Sequence, residues 1–130
     1  RIQAGTRTQN IGMLMDLVPT FCELAGVEQV VVLDGISLVP TLLGEDQITD
    51  DRVLFWVRQE GNMRYGGQTY YAARHKQYKL LQNLPWEPYS LYDLSMDPQE
   101  VSPLEPHGEI YNYLFRKLRE HIRITTVPQH

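Results

Sequence analysis

Two apolar segments at helical spacing open the chain. Leu17, Phe21 and Leu24 fall on one face of a helix, with Val18, Cys22 and Ala25 beside them. Asp16 suits an N-cap, Pro19 lies in the first turn where its missing N–H costs nothing, and Gly26 suits the position after the last turn. Residues 16–26 therefore predict one short, well-buried helix. The segment Ser37-Leu-Val-Pro-Thr-Leu-Leu-Gly44 repeats the design on a smaller scale, with Ser37 as its cap. The shared Leu-Val-Pro-Thr is read as a common start signal and not as an internal repeat. Asp34-Gly35 between the two segments predicts a turn.

The pattern changes after the acidic stretch 45–51, which is the natural boundary. Val53-Leu-Phe-Trp-Val-Arg58 is rich in β-formers and predicts a strand. A loop over 61–67 leads to a second strand at 69–74. His75-Lys76-Gln77 makes a tight connection to a third at 78–81, and Leu91–Leu94 forms a short fourth that Asp97-Pro98 ends. The last element is a helix over about 109–123, with Tyr111, Leu114, Phe115, Leu118 and Ile122 as its apolar stripe. Glu109 at its start and Arg119 and Arg123 near its end suit the helix dipole. The expected fold class is α+β: an antiparallel sheet of about four strands packed by a C-terminal helix, and preceded by a separate helical segment. The expected division is residues 1–48 and 49–130.

Composition narrows the function classes. A net charge of −4 argues against a nucleic-acid partner, which would need a basic face. No apolar run approaches a membrane span: Val30 to Leu33 is four residues and Val53 to Val57 is five. The single cysteine, Cys22, cannot form an internal disulfide. The chain starts at Arg1 with no signal peptide and reads as a fragment of something longer.

Candidate chemistry is sparse. Cys22 sits among apolar helical neighbours and is read as packing. Ser37, Ser90, Ser95 and Ser102 have no Gly-x-Ser-x-Gly context. His75, His107, His121 and His130 lack zinc-site spacing, and neither Asp50-Asp51 nor Asp93 with Asp97 fits a calcium loop. Asp97 is read as a turn residue. Arg74 and Lys79 are placed on strands, where each either extends along the surface or pairs with a carboxylate such as Asp93. The interesting cluster is Arg58, Glu60, Asn62, Arg64, Tyr65 and Gln68, at the end of the first strand and in the loop after it. Loops held by a sheet are common binding positions, and the planar arginine fork suits sulfate or carboxylate. Arg58, Asn62, Arg64, Tyr65 and Gln68 are the candidate substrate-binding residues; the alternative is an ordinary solvated hairpin loop. No catalytic constellation and no metal site is assigned to any residue.

Four segments in order carry a family resemblance. They are Asp16-Leu-Val-Pro-Thr-Phe-Cys-Glu-Leu-Ala-Gly26, Asp34-Gly-Ile-Ser-Leu-Val-Pro-Thr-Leu-Leu-Gly44, Tyr71-Ala-Ala-Arg-His-Lys-Gln-Tyr-Lys-Leu-Leu81 and Leu91-Tyr-Asp-Leu-Ser-Met-Asp-Pro-Gln-Glu100. Together they resemble the C-terminal part of type I sulfatases, of the alkaline phosphatase-like superfamily. The resemblance implies that residues 1–48 end a large α/β domain and that 49–130 form the smaller C-terminal subdomain beside the active site. It implies a parent enzyme that hydrolyses sulfate esters of glycans or aryl alcohols with a formylglycine nucleophile and calcium. The formylglycine motif Cys/Ser-x-Pro-x-Arg is not in this chain, so the chain alone is expected to be inactive. Its implied partner is the missing catalytic domain, and the apolar residues of 17–33 are expected to self-associate without it. The family is usually exported. A phosphonate or phosphodiester hydrolase tail of the same superfamily, or a non-catalytic interaction domain, are the other readings.

Overall fold

The computed structural model describes residues 2–28, 31–47, 49, 51–59 and 69–126, save the side chains of Gln59 and Thr126. Two compact units divide the chain, Arg1–Asp50 and Asp51–His130.

The first unit holds a single 3-10 turn, Leu14–Asp16, running into α1, Leu17–Ala25, and then α2, Val39–Leu43. Gly26 and Gly44 end the two helices at φ +67 and +78, a conformation that costs glycine least. The predicted N-cap role of Asp16 is corrected. Its own backbone is already helical, and its side chain makes no cap bond to α1. Instead its buried carboxylate accepts Met13 N–H at 2.7 Å and Ile36 N–H at 3.0 Å. One residue thereby closes the turn before the helix and holds the chain twenty positions on. Gly35 makes that approach possible, since a Cβ there would lie 2.0 Å from the Met15 carbonyl oxygen.

The two Leu-Val-Pro-Thr segments share a device. Thr20 Oγ1 donates to Asp16 O at 2.6 Å and accepts Leu38 N–H at 2.9 Å. Thr41 Oγ1 donates to Gln47 Oε1 at 2.6 Å and accepts from Asn10 Nδ2 at 2.8 Å. In both, the hydroxyl two residues after valine ties its helix to another stretch of the chain, through backbone at Thr20 and through side chains at Thr41. Ser37 Oγ accepts Val39 N–H at 3.2 Å, although the residue flanking α2 is Leu38. The expectation of a well-buried α1 is also corrected: Leu17, Val18, Phe21 and Leu24 are all exposed, Phe21 by 61%.

The second unit is a four-stranded antiparallel sheet in the order β1 (Leu54–Gln59), β2 (Thr69–His75), β3 (Tyr78–Gln82) and β4 (Ser90–Asp93), followed by α3 (Glu109–Thr126). The hairpin between β2 and β3 turns on Lys76 at φ +52. Alternation along the strands sends Phe55, Tyr71, Ala73, Tyr78 and Leu80 to one face, and register pairs Phe55 with Ala73, Ala73 with Leu80 and Leu80 with Leu91. That row forms the core with Leu114 and Leu118 of α3.

The predicted stripe of α3 is right in part. Leu114 and Leu118 are fully buried, but Phe115 is 37% exposed, edge-on to Tyr89 at 5.3 Å. The buried face is centred further round the helix. It draws in Ile110, Tyr113 and His121, whose ring stacks on Phe55 at 4.3 Å.

The loops that close the sheet are held by single side chains. Gln82 Nε2 donates to Glu87 O at 2.8 Å, folding 83–88 back on itself and leaving Trp86 exposed. Asp97 Oδ2 accepts Ser102 N–H at 2.8 Å, and Leu104 bridges to Leu91 along the outer edge of β4. Lys79 pairs with Glu100 at 2.6 and 2.8 Å and not with Asp93, whose Oδ1 accepts from Ser95 instead. Arg74 Nε donates to Lys76 O at 3.0 Å.

Candidate functional site

Of the five residues expected to contact substrate, one is described. Arg58 lies near the end of β1, and its side chain is exposed. Asn62, Arg64, Tyr65 and Gln68 lie outside the described residues. The register pairs Arg58 with Tyr70, and the guanidinium carbon stands 5.7 Å from the centroid of that ring. Trp56, two residues earlier, shares the face and is 41% exposed. Both belong to the side of the sheet opposite the one that α3 covers.

Physically, this is a small amphipathic patch. An aromatic face limits the motion of a guanidinium beside it, and the planar fork is of the kind that recognises anions. Sequence reasoning found Arg58 but passed over Trp56 and Tyr70. The signal was available for both: strand periodicity places residue 56 with 58, and a hairpin brings 70 opposite 58.

Nothing described supplies a reaction centre. Cys22 is half-buried, and among the described residues no three His, Cys, Asp or Glu side chains are grouped to hold a metal. The described residues do not fit a calcium site, and no catalytic step is assigned to them. Two ionisable groups depart from their ordinary behaviour. Burial raises the Tyr89 hydroxyl pKa above its usual 10.0, against the opposing charge of Arg119. Backbone N–H groups, that of Ser102 foremost, hold the Asp97 carboxylate below its usual 3.8. Asp97 is thereby explained as a loop clasp. No helix among the described residues is long and apolar enough to cross a membrane.

Residues 1–126 match the family profile described as N-sulphoglucosamine sulphohydrolase, C-terminal. The chain belongs to that sulfatase family. An N-acetylglucosamine-6-O-sulfatase of Bacteroides thetaiotaomicron is 30% identical over 107 residues, covering 78% of this chain and 19% of the relative. A Δ4,5-hexuronate-2-O-sulfatase of the same organism is 36% identical over 88 residues, covering 66% and 18%. This sulfatase chain thus spans about a fifth of the length of the curated relatives it matches. Among solved structures, a protein in complex with its substrate D-glucosamine-2-N,6-O-disulfate superposes with a TM-score of 0.61 at 26% identity, over 83% of this chain and 23% of the other. A phosphonate monoester hydrolase of Agrobacterium radiobacter shares the fold, at 22% identity and a TM-score of 0.55 over 85% of this chain and 24% of the other. The resemblance drawn from the four segments and the α+β class of the sheet and its helix both hold.

Proposed function

We propose that this sulfatase-family chain is the C-terminal subdomain of a longer enzyme that hydrolyses sulfate esters of sulfated glycans. Its role is to wall the substrate pocket and not to supply the reacting groups. One observation carries the reading: a family match over 126 residues to sulfatases of which the chain spans about a fifth. Both curated relatives are named as sulfatases of sugar residues, which favours a glycan substrate.

In this reading the formylglycine and the calcium ion belong to the rest of the parent protein. Sulfate transfer needs an activated nucleophile and positive charge over the developing anion. Arg58 offers the second kind of group alone, and would contact a sulfate or carboxylate of the sugar. Asn62, Arg64, Tyr65 and Gln68 join it on sequence grounds. Arg58→Ala in the intact protein should raise KM for a sulfated monosaccharide about tenfold with little change in kcat, the signature of a lost charge-assisted contact. An unchanged KM would return Arg58 to the solvated surface.

The apolar side of α1 belongs to the same reading. Leu14, Leu17, Phe21, Val31 and Val32 are exposed, Val32 fully. A set of that kind on one small unit favours an interface with the remainder of the parent. Separated from it, the chain should self-associate; light scattering across a hundredfold concentration range would read this, and a constant monomer mass would refute it.

The decisive experiment compares the 130-residue chain with the intact native protein. Each would be assayed on sulfated monosaccharides, on an aryl sulfate and on a phosphonate monoester. Sulfate release by the intact protein, with none from the isolated chain, is expected. Preferential turnover of the phosphonate would favour the phosphonate hydrolase reading, which the shared fold keeps in view. No hydrolysis by either would leave a binding module.

A further inference from the structure

The outer side of α3 carries a shallow cavity of about 670 Å³ lined by Arg116, Arg119, Glu120, Ile122 and Arg123. At 3.6 residues per turn, the three arginines and Glu120 point away from Leu114 and Leu118, the buried side of the helix. The arginines at 116, 119 and 123 form one row about 10 Å long, from the 1.5 Å rise per residue. Among the described residues none of the three is in an ion pair. Arg116 stands over the Tyr113 ring at 5.8 Å, and Glu120, one turn beyond Arg116, does not pair with it. The helix carries four cationic side chains and two carboxylates, a net +2 in a chain of −4. Three of those cations, Arg116, Arg119 and Arg123, share the outer side, whereas Lys117 lies over the Tyr113 ring at 5.9 Å; α3 is thus a basic element in an otherwise acidic chain.

A solvated helix face would ordinarily set such cations against carboxylates one turn away. Here three forks stand in line beside one carboxylate. Each can present paired N–H donors to a sulfate or carboxylate. A row of them suits a ligand with several anionic groups along its length better than a single ion. Ile122 adds a half-buried apolar wall, which suits the C–H face of a sugar ring better than a bare run of carboxylates.

We propose that the Arg116–Arg119–Arg123 row of α3 is a secondary binding surface for a sulfated polysaccharide, holding the polymer apart from the Arg58 patch. The choice of ligand rests on the sulfated-glycan reading above; the existence of an anionic site does not. In the intact native protein, the surface anchors a long chain while one residue of it is processed.

The test uses the intact protein, a size-defined heparin octasaccharide and, as a competitor class, a polyglutamate of equal charge. Binding of the octasaccharide should weaken at least tenfold in the Arg116→Ala/Arg119→Ala/Arg123→Ala variant and should weaken as salt rises. The triple Lys variant, which keeps charge and loses the forks, should fall between. Turnover of a sulfated monosaccharide should be unchanged in both, with circular dichroism confirming the fold. Octasaccharide affinity within twofold of the native value in the Ala variant would overturn the proposal. So would polyglutamate binding as tightly as heparin, since the site would then read charge alone. Arginine-dependent heparin binding by a protein that hydrolyses no sulfate ester would sink the enzymatic reading and leave this site standing.

Discussion

At the scale of single residues, the first unit depends on a few polar side chains that reach across the chain. Asp16 is fully buried and bonded to two backbone N–H groups twenty-three residues apart, Met13 and Ile36. Asp16→Ala would leave both donors without it and should cost about 2–3 kcal/mol, read as a shift in the denaturation midpoint. Asn at the same position keeps one acceptor and should cost less. Gly35→Ala should be at least as damaging for a different reason. Its new Cβ would meet a carbonyl oxygen at 2.0 Å, and backbone does not yield as a side chain does. Sequence reasoning recognised both positions, Asp16 as a cap and Gly35 as a turn, and missed the bond that makes each indispensable to the other. Local propensity describes a residue's near neighbours, whereas the Ile36 N–H arrives by a turn whose path no local rule contains.

At the scale of elements, the second unit follows its sequence closely. All four strands fall within about a residue of the expected positions, because alternation and β-branched or aromatic content are local signals. The helix is found as well, but the face it buries is centred elsewhere than the obvious apolar stripe suggests. Phe115 lies at its margin while His121 stacks on Phe55. Leu118→Ala should therefore cost 2–5 kcal/mol, measured by denaturant titration, and Phe115→Ala distinctly less. The Asp97 clasp makes the 97–102 loop sensitive to acid. A carboxylate whose pKa is lowered on folding contributes stability above its unfolded value that is lost as pH falls through the folded one. Hydrogen exchange at the Ser102 amide should therefore be protected near neutrality and lose protection, relative to the intrinsic rate, only in acid below the ordinary carboxylate value of 3.8. Tyr89 acts in the opposite direction. Its raised pKa favours the neutral phenol in the fold, so its contribution is complete below pH 10 and fades as pH rises further through the folded value. Tyr89→Phe should flatten the alkaline limb of a stability–pH curve.

At the scale of the whole molecule, the composition of the two units differs as their surfaces do. The first carries seven carboxylates and two arginines over residues 1–50, and presents a broad set of exposed apolar side chains. The second has its own core and carries four of its ten lysines and arginines on α3. An exposed apolar set is readable in sequence only as an apolar helix, since periodicity says which residues share a face and not whether anything covers it. That is why α1 is expected to be buried and is found exposed. The same limit applies to Arg58. Its chemistry is evident from the residue type, but its placement over Tyr70 and beside Trp56 depends on the register of the β1–β2 hairpin.

The sequence by itself determined the order and type of the elements and the family, because periods of 2 and 3.6 and short ordered motifs are written in neighbouring residues. Only the tertiary structure decided the partners. It turned Asp16 from a cap into a cross-chain tie and set Lys79 against Glu100 in place of Asp93. It turned the helix to stack His121 on Phe55 and left three arginines in a row on its far side. Each of these depends on groups brought close by the path of the backbone, where distance in space is no longer distance along the chain.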